Sequence, residues 1–144
     1  MELNTASQVI SFAREMEEQI AMLYEAMSGD GAAKETLAAL AVESRKNAKQ
    51  IERVYYGVIT DALEGCFAFR IDREAYSVES LAHGRGNARP GLGEALAVEK
   101  KAQEFYSVAA QQSGALLADL LRLFNSMAKK RGDRISKLKA IRSA

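Results

Sequence analysis

Apolar residues return at every third or fourth position through most of the chain, the spacing of amphipathic helices with one buried stripe. It predicts four of them. The first runs from about Ser7 to Ser28, with Ile10, Ala13, Glu17, Ile20, Tyr24 and Met27 on one face. The second runs from about Ala32 to Leu63, its stripe passing through Leu37, Leu40, Ala41, Ser44, Asn47, Ala48, Ile51, Val54, Tyr55 and Val58. The third covers about residues 93–112, with Leu92 just ahead of it and Ala95, Glu99, Ala102, Tyr106 and Ala109 on its stripe. The fourth covers about residues 115–141, through Leu117, Leu120, Leu121, Phe124, Met127, Ala128, Arg131, Ile135 and Leu138. Period-2 alternation is not sustained anywhere, so the expected class is all-α. Short joins between helices one and two and between three and four make antiparallel hairpins, linked by a long crossover at about residues 64–92. Within that crossover "DREAYSVESLA" (Asp72–Ala82) has the makings of a short helix.

Composition supports this picture. Helix-forming residues dominate, proline occurs once, at Pro90, and the ten glycines fall mostly between the helical stretches. The 144 residues suit one domain with a sizeable core, and 48% hydrophobic with 27% charged residues is ordinary for a globular protein. A net charge of +1 gives no general attraction to nucleic acid or anionic membrane. One cysteine, Cys66, allows no internal disulfide and no cysteine-rich metal knuckle. The opening residues lack a basic, then apolar, signal pattern, and no apolar run is long enough to span a bilayer. A cytoplasmic protein is expected.

The unusual feature is polar residues on the buried stripes: Glu17, Ser44, Asn47, Glu99 and Arg131. They fall into an internal echo. "MEEQIAMLYEA" (Met16–Ala26) and "VEKKAQEFYSV" (Val98–Val108) each carry a glutamate seven residues before a tyrosine. Each leads, after a short loop, to a helix with "LA" (Leu40–Ala41) or "MA" (Met127–Ala128) followed by charged and polar residues.

With "AREMEEQIAMLYEAM", "LAALAVESRKNAKQIERVY", "ALAVEKKAQEFYSVAA" and "FNSMAKKRGDRISKL", nearly the whole chain resembles the rubrerythrin branch of the ferritin-like superfamily. The resemblance implies a four-helix bundle, often dimeric, around a di-iron carboxylate centre with ferroxidase or peroxide-reducing chemistry. In that family helices one and three each supply one glutamate, and helices two and four each supply a Glu-x-x-His pair. Transferred to this chain, the glutamates are Glu17 and Glu99. The helix-two pair becomes Ser44 and Asn47, and the helix-four pair becomes Arg131 and Arg134. A hydroxyl and an amide are poor iron ligands, and two guanidiniums repel a cation and never deprotonate in proteins. Neither a di-iron centre nor the four-cysteine iron site common in rubrerythrins is expected, and no cofactor follows.

Two bare carboxylates in a bundle core would each cost roughly several kcal/mol. The expectation is therefore a buried ion network in which Arg131 and Arg134 pair with Glu17 and Glu99, with Ser44 and Asn47 taking up remaining hydrogen bonds. One rival breaks helix four at Gly132 and restarts it at Asp133, leaving both arginines in solvent. Another shifts the register of helix one so that Glu15 or Glu18 faces inward.

Function follows less directly. A non-catalytic structural or interaction module, forming a homodimer, is the first reading. The alternatives are an iron-binding or oxidoreductase protein with an unconventional site around Glu17, Glu99 and Glu43, and a small-molecule binder using the vacated metal cavity. Glu43 itself is expected at the surface, His83 solvated in its loop, Cys66 a small packed residue, and Tyr24 and Tyr106 in the core. The tail "KKRGDRISKLKAIRSA" carries seven basic residues against one aspartate, read as a solvated helix face and not as a nucleic-acid contact.

Overall fold

The computed structural model describes residues 2–27, 32–58, 67–82, 91–113 and 118–143. Strand β1 (Glu2–Thr5) leads directly into α1 (Ala6–Met27), followed by α2 (Ala32–Val58). Strand β2 (Phe67–Asp72), a 3-10 turn (Arg73–Tyr76) and the short α3 (Val78–Ala82) come next. Helices α4 (Leu92–Ser113) and α5 (Ala118–Ser143) complete the chain. Four long helices thus form an all-α body in which α1 packs along α2 and α4 along α5. Among the described residues, no helix is long and apolar enough to cross a membrane.

Local chemistry sets the helix starts. Thr5 and Gln8 form a reciprocal cap at the head of α1: Gln8 N–H donates to Thr5 Oγ1, and the Gln8 side-chain oxygen accepts from Thr5 N–H and Asn4 N–H. Glu94 does half of the same job for α4, accepting from Gly91 N–H at 2.9 Å.

The crossover differs from the all-helical expectation. β2 pairs antiparallel with β1, in the register Glu2↔Asp72, Leu3↔Ile71 and Thr5↔Phe67, with an irregularity between Leu3 and Thr5. β2 does alternate, with Phe69 and Ile71 buried and Arg70 and Asp72 exposed, but over only six residues, too short a run to stand out against the helical spacing around it. Leu3, Phe69 and Ile71 are buried against the bundle. The Gln112 side chain of α4 accepts from Arg70 N–H and donates to Arg70 O, closing the free edge of β2. The segment Asp72–Ala82 forms a 3-10 turn and a separate five-residue helix, not one helix. Its Tyr76 ring lies 5.6 Å from Phe105, which meets Phe12 edge-on at 5.1 Å. Phe12 of α1, outside the single predicted stripe, is buried in this second aromatic layer, and α1 also buries Val9, Met16 and Leu23 off that stripe.

α1 starts one residue before the expected Ser7, α4 extends one residue past expectation at each end, and α5 runs two residues past the expected Ile141; the expected ends at Ser28 and Leu63 and the expected start at about residue 115 lie outside the described residues. The fourth helix does not break. α5 is continuous through Gly132, where an added Cβ would come within 3.2 Å of the Gln103 amide nitrogen. That amide donates to Ala128 O, so the glycine gives α4 room to approach α5 closely.

Candidate functional site

The expected core positions converge in the middle of the bundle. Glu17 comes from α1, Glu99 from α4, Ser44 and Asn47 from α2, and Arg131 and Arg134 from α5. All six are buried, with Glu17, Ser44, Glu99 and Arg131 at 0% exposure. Glu15 and Glu18 are exposed and pair with Arg73 and Arg45 instead. The register of α1 is thereby set on Glu17.

Arg131 bridges the two carboxylates. Its Nη1 donates to Glu99 Oε1 at 2.9 Å and Oε2 at 3.1 Å, while Nη2 donates to Glu17 Oε2. Burial by itself would lower the affinity of this guanidinium for its proton. The charges of Glu17 and Glu99 outweigh that and hold Arg131 well above the ordinary arginine range. Arg134 supports the same centre less tightly. Its Nη1 donates to Ser44 Oγ at 2.7 Å and reaches Glu99 Oε1 at 3.4 Å.

The two tyrosines cross over. Tyr24 of α1 donates to Glu99 of α4 at 2.6 Å, and Tyr106 of α4 donates to Glu17 of α1 at 2.5 Å. Each glutamate therefore bonds the tyrosine of the opposite helix, not the one seven residues along its own. Burial, and then the adjacent carboxylate, raises both phenols above the usual tyrosine range, so they remain protonated donors. The Tyr106 face also lies 5.9 Å from the Arg131 guanidinium carbon.

Two further residues join at the α2–α5 seam. Glu43, expected at the surface, is 37% exposed, and its Oε1 also lies 3.4 Å from Arg134 Nη2. It is not on the stripe, but it sits beside Ser44, and the long arginine reaches across to it. Lys130 Nζ donates to Asn47 Oδ1 at 3.4 Å and Gln50 Oε1 at 3.2 Å. The whole assembly balances three carboxylates (Glu17, Glu43, Glu99) against three cations (Lys130, Arg131, Arg134).

This arrangement stores charge and protons in fixed places. Of the two central carboxylates, Glu99 uses both oxygens on donors, and Glu17 leaves only Oε1 without a partner. A metal ion bound by both glutamates would have to displace a guanidinium that never gives up its charge. Among the described residues no group of three or more His, Cys, Asp and Glu is arranged to hold a metal ion. Among the described residues, three surface grooves lie elsewhere, lined in turn by residues such as Phe12 and Arg73, Arg14 and Lys49, and Val54 and Leu123. None of the three touches Glu17, Glu99, Arg131 or Arg134. His83 and Cys66 lie outside the described residues.

The spacing of glutamate and tyrosine in each half signals that the pair belongs together, though not that it pairs across helices. Glu43 and Lys130 carry no signal on their stripes, because they enter the site from its edge. Comparison with family models, curated proteins and solved structures finds no match to this chain.

Proposed function

We propose that this chain is a ferritin-like bundle of two antiparallel hairpins, akin to the rubrerythrins, in which a salt-bridge network has taken over the place of the di-iron centre. It works without catalysis as a structural or interaction module and pairs with a second copy of itself. The observation that carries this reading is Arg131, whose guanidinium lies between Glu17 and Glu99 and donates to both. In a di-iron bundle the same two glutamates would hold cations. Here the positive charge is covalently attached to α5, so the carboxylates are neutralised without iron.

The donor chemistry does not fit a resident iron. Ser44 and Asn47 offer neutral oxygens, and both remaining positions are arginine. Arg134 Nη1 already occupies the Ser44 hydroxyl. Tyr24 and Tyr106 hold the glutamates in place from the opposite side.

The test is metal analysis of protein purified without chelators, together with an iron titration. Less than about a tenth of an equivalent of iron and no saturable binding are expected. Stoichiometric iron that is lost in Glu17→Gln would defeat the reading. Sedimentation measures the self-association: a monomer at all concentrations would remove the homodimer from it.

A further inference from the structure

An arginine offers two edges, and the one formed by Nε and Nη2 can hold a carboxylate through two parallel N–H···O bonds. In Arg134 this edge has no hydrogen-bond partner at either nitrogen, although the residue is only 1% exposed. Its Nη1 alone serves Ser44 and Glu99. Two charged donors buried without an acceptor are costly, and such a pair calls for an explanation.

The surroundings point to an acceptor with negative charge. Asn47 Nδ2, also buried, has no partner either. Lys130, one turn before Arg134 on α5, bonds only the neutral side chains of Asn47 and Gln50 among the described residues. Donors on two facing helices thus outnumber acceptors at this seam. The nearest carboxylate is Glu43, 3.4 Å from Nη2, which is close enough for attraction but not aligned to accept a hydrogen bond. Glu43 is also the one acid of the network with substantial exposure, so it can turn outward at small cost.

We propose that the Nε–Nη2 edge of Arg134, with Asn47 Nδ2 and Lys130 Nζ, binds a small free monocarboxylate of formate or acetate size, and that Glu43 is its intramolecular competitor. Charge favours a monoanion. Three carboxylates face three cations, and a monocarboxylate that enters as Glu43 leaves keeps that balance, whereas a dianion would leave a buried negative excess. Size favours a free molecule, because the place to be filled is that of the Glu43 carboxyl group, which lies 3.4 Å from Nη2 and is itself partly open to solvent. The inference stands on this geometry and does not depend on the loss of iron argued above.

The experiment titrates the full chain and its Glu43→Ala and Lys130→Gln variants with sodium acetate, against sodium chloride at equal ionic strength. Arginine Nε–H resonances and thermal midpoints are the readouts. Acetate is expected to bind Glu43→Ala about tenfold more tightly than the parent, since it no longer displaces a tethered carboxylate. It should raise that variant's midpoint where chloride does not. Lys130→Gln should weaken acetate binding severalfold, and as a half-buried side chain it can change without opening the core. Acetate acting no better than chloride on either protein would overturn the proposal. So would equal acetate affinity in the parent and Glu43→Ala, because Glu43 would then compete for nothing.

Discussion

Along α1 and α4 the polar core is close to self-symmetric, whereas along α2 and α5 it is not. Glu17 and Tyr24 on α1 match Glu99 and Tyr106 on α4, and each tyrosine donates to the glutamate of the other helix. The facing pair breaks the pattern: Ser44 and Asn47 on α2 stand where α5 has Arg131 and Arg134. All the compensating positive charge at stripe positions therefore comes from one helix. The difference shows that a buried centre can keep two acids in fixed geometry while its counter-charge is moved to one side. It also makes the two sides unequal energetically. The α1–α4 side supplies reciprocal hydrogen bonds, and the α5 side supplies the charge without which the acids could not stay buried.

Arg131→Met is the sharpest way to break this comparison. It leaves Glu17 and Glu99 buried with their main cation gone, and a loss of about 3–5 kcal/mol in unfolding free energy by urea titration is expected. Adding Glu17→Gln and Glu99→Gln should recover much of that loss, because the acids no longer need compensation. If Arg131→Met costs no more than an exposed substitution, the charge argument fails. A double-mutant cycle on Glu17 and Arg131 should show coupling at the upper end of the roughly 0.5–3 kcal/mol found for contacting residues. The reciprocal side should respond more mildly. Tyr24→Phe and Tyr106→Phe each remove one hydrogen bond to a carboxylate, costing about 1.5–3 kcal/mol. The two costs should be similar, and a large inequality would show that the symmetry is only apparent.

Which residues face inward is largely legible from 3–4 spacing. Glu17, Glu99 and Arg131 fall on apolar stripes, Arg134 follows Arg131 by one turn, and a charged residue in such a place must find a partner there. The choice between a broken and a continuous fourth helix is not legible, because Gly132 costs helix propensity and repays it only through the approach of Gln103. The β1–β2 pair escapes the pattern for a related reason. The alternation in β2 spans only Phe67–Asp72 and β1 has four residues, and their pairing is supported by Gln112, forty-two positions from Arg70. Glu43 escapes it because helix spacing describes where a Cβ points, not how far an arginine from another helix can reach. Cross-helix pairing of the tyrosines depends on the same kind of non-local information.

Alkaline pH probes the symmetric side specifically. Tyr24 and Tyr106 have folded-state values raised by burial and by Glu99 and Glu17, above the value of about 10 expected in the unfolded chain. A group raised in this way contributes its full stability below the unfolded value and loses it as the pH climbs towards the folded one. Arg131 is raised as well, but its unfolded counterpart keeps its proton until far higher pH. Unfolding free energy should therefore begin to fall above about pH 10, as the unfolded tyrosines ionise. The fall should be shallower in the Tyr24→Phe, Tyr106→Phe double variant. Parallel curves for the two proteins would mean that other groups carry the alkaline limit.

The smallest effect is expected at the surface, and it calibrates the rest. Arg45 donates to Glu25 through both terminal nitrogens, at 2.6 and 2.9 Å, and lies 3.4 Å from Glu18. By geometry alone this contact rivals Arg131 with Glu99. The hydrogen bond to Glu25 holds Arg45 above, and the same contact holds Glu25 below, their ordinary values. Yet all three side chains are wetted, so removing the arginine leaves no buried charge behind, and salt screens what attraction there is. Arg45→Ala should shift the urea midpoint less than either tyrosine substitution, and the shift should shrink further at high salt. Arg131→Met, in contrast, should keep its full cost in salt, because ions cannot reach a guanidinium with no exposed surface. If the two variants responded to salt alike, burial would not be what separates this inner network from the many ion pairs on the outside.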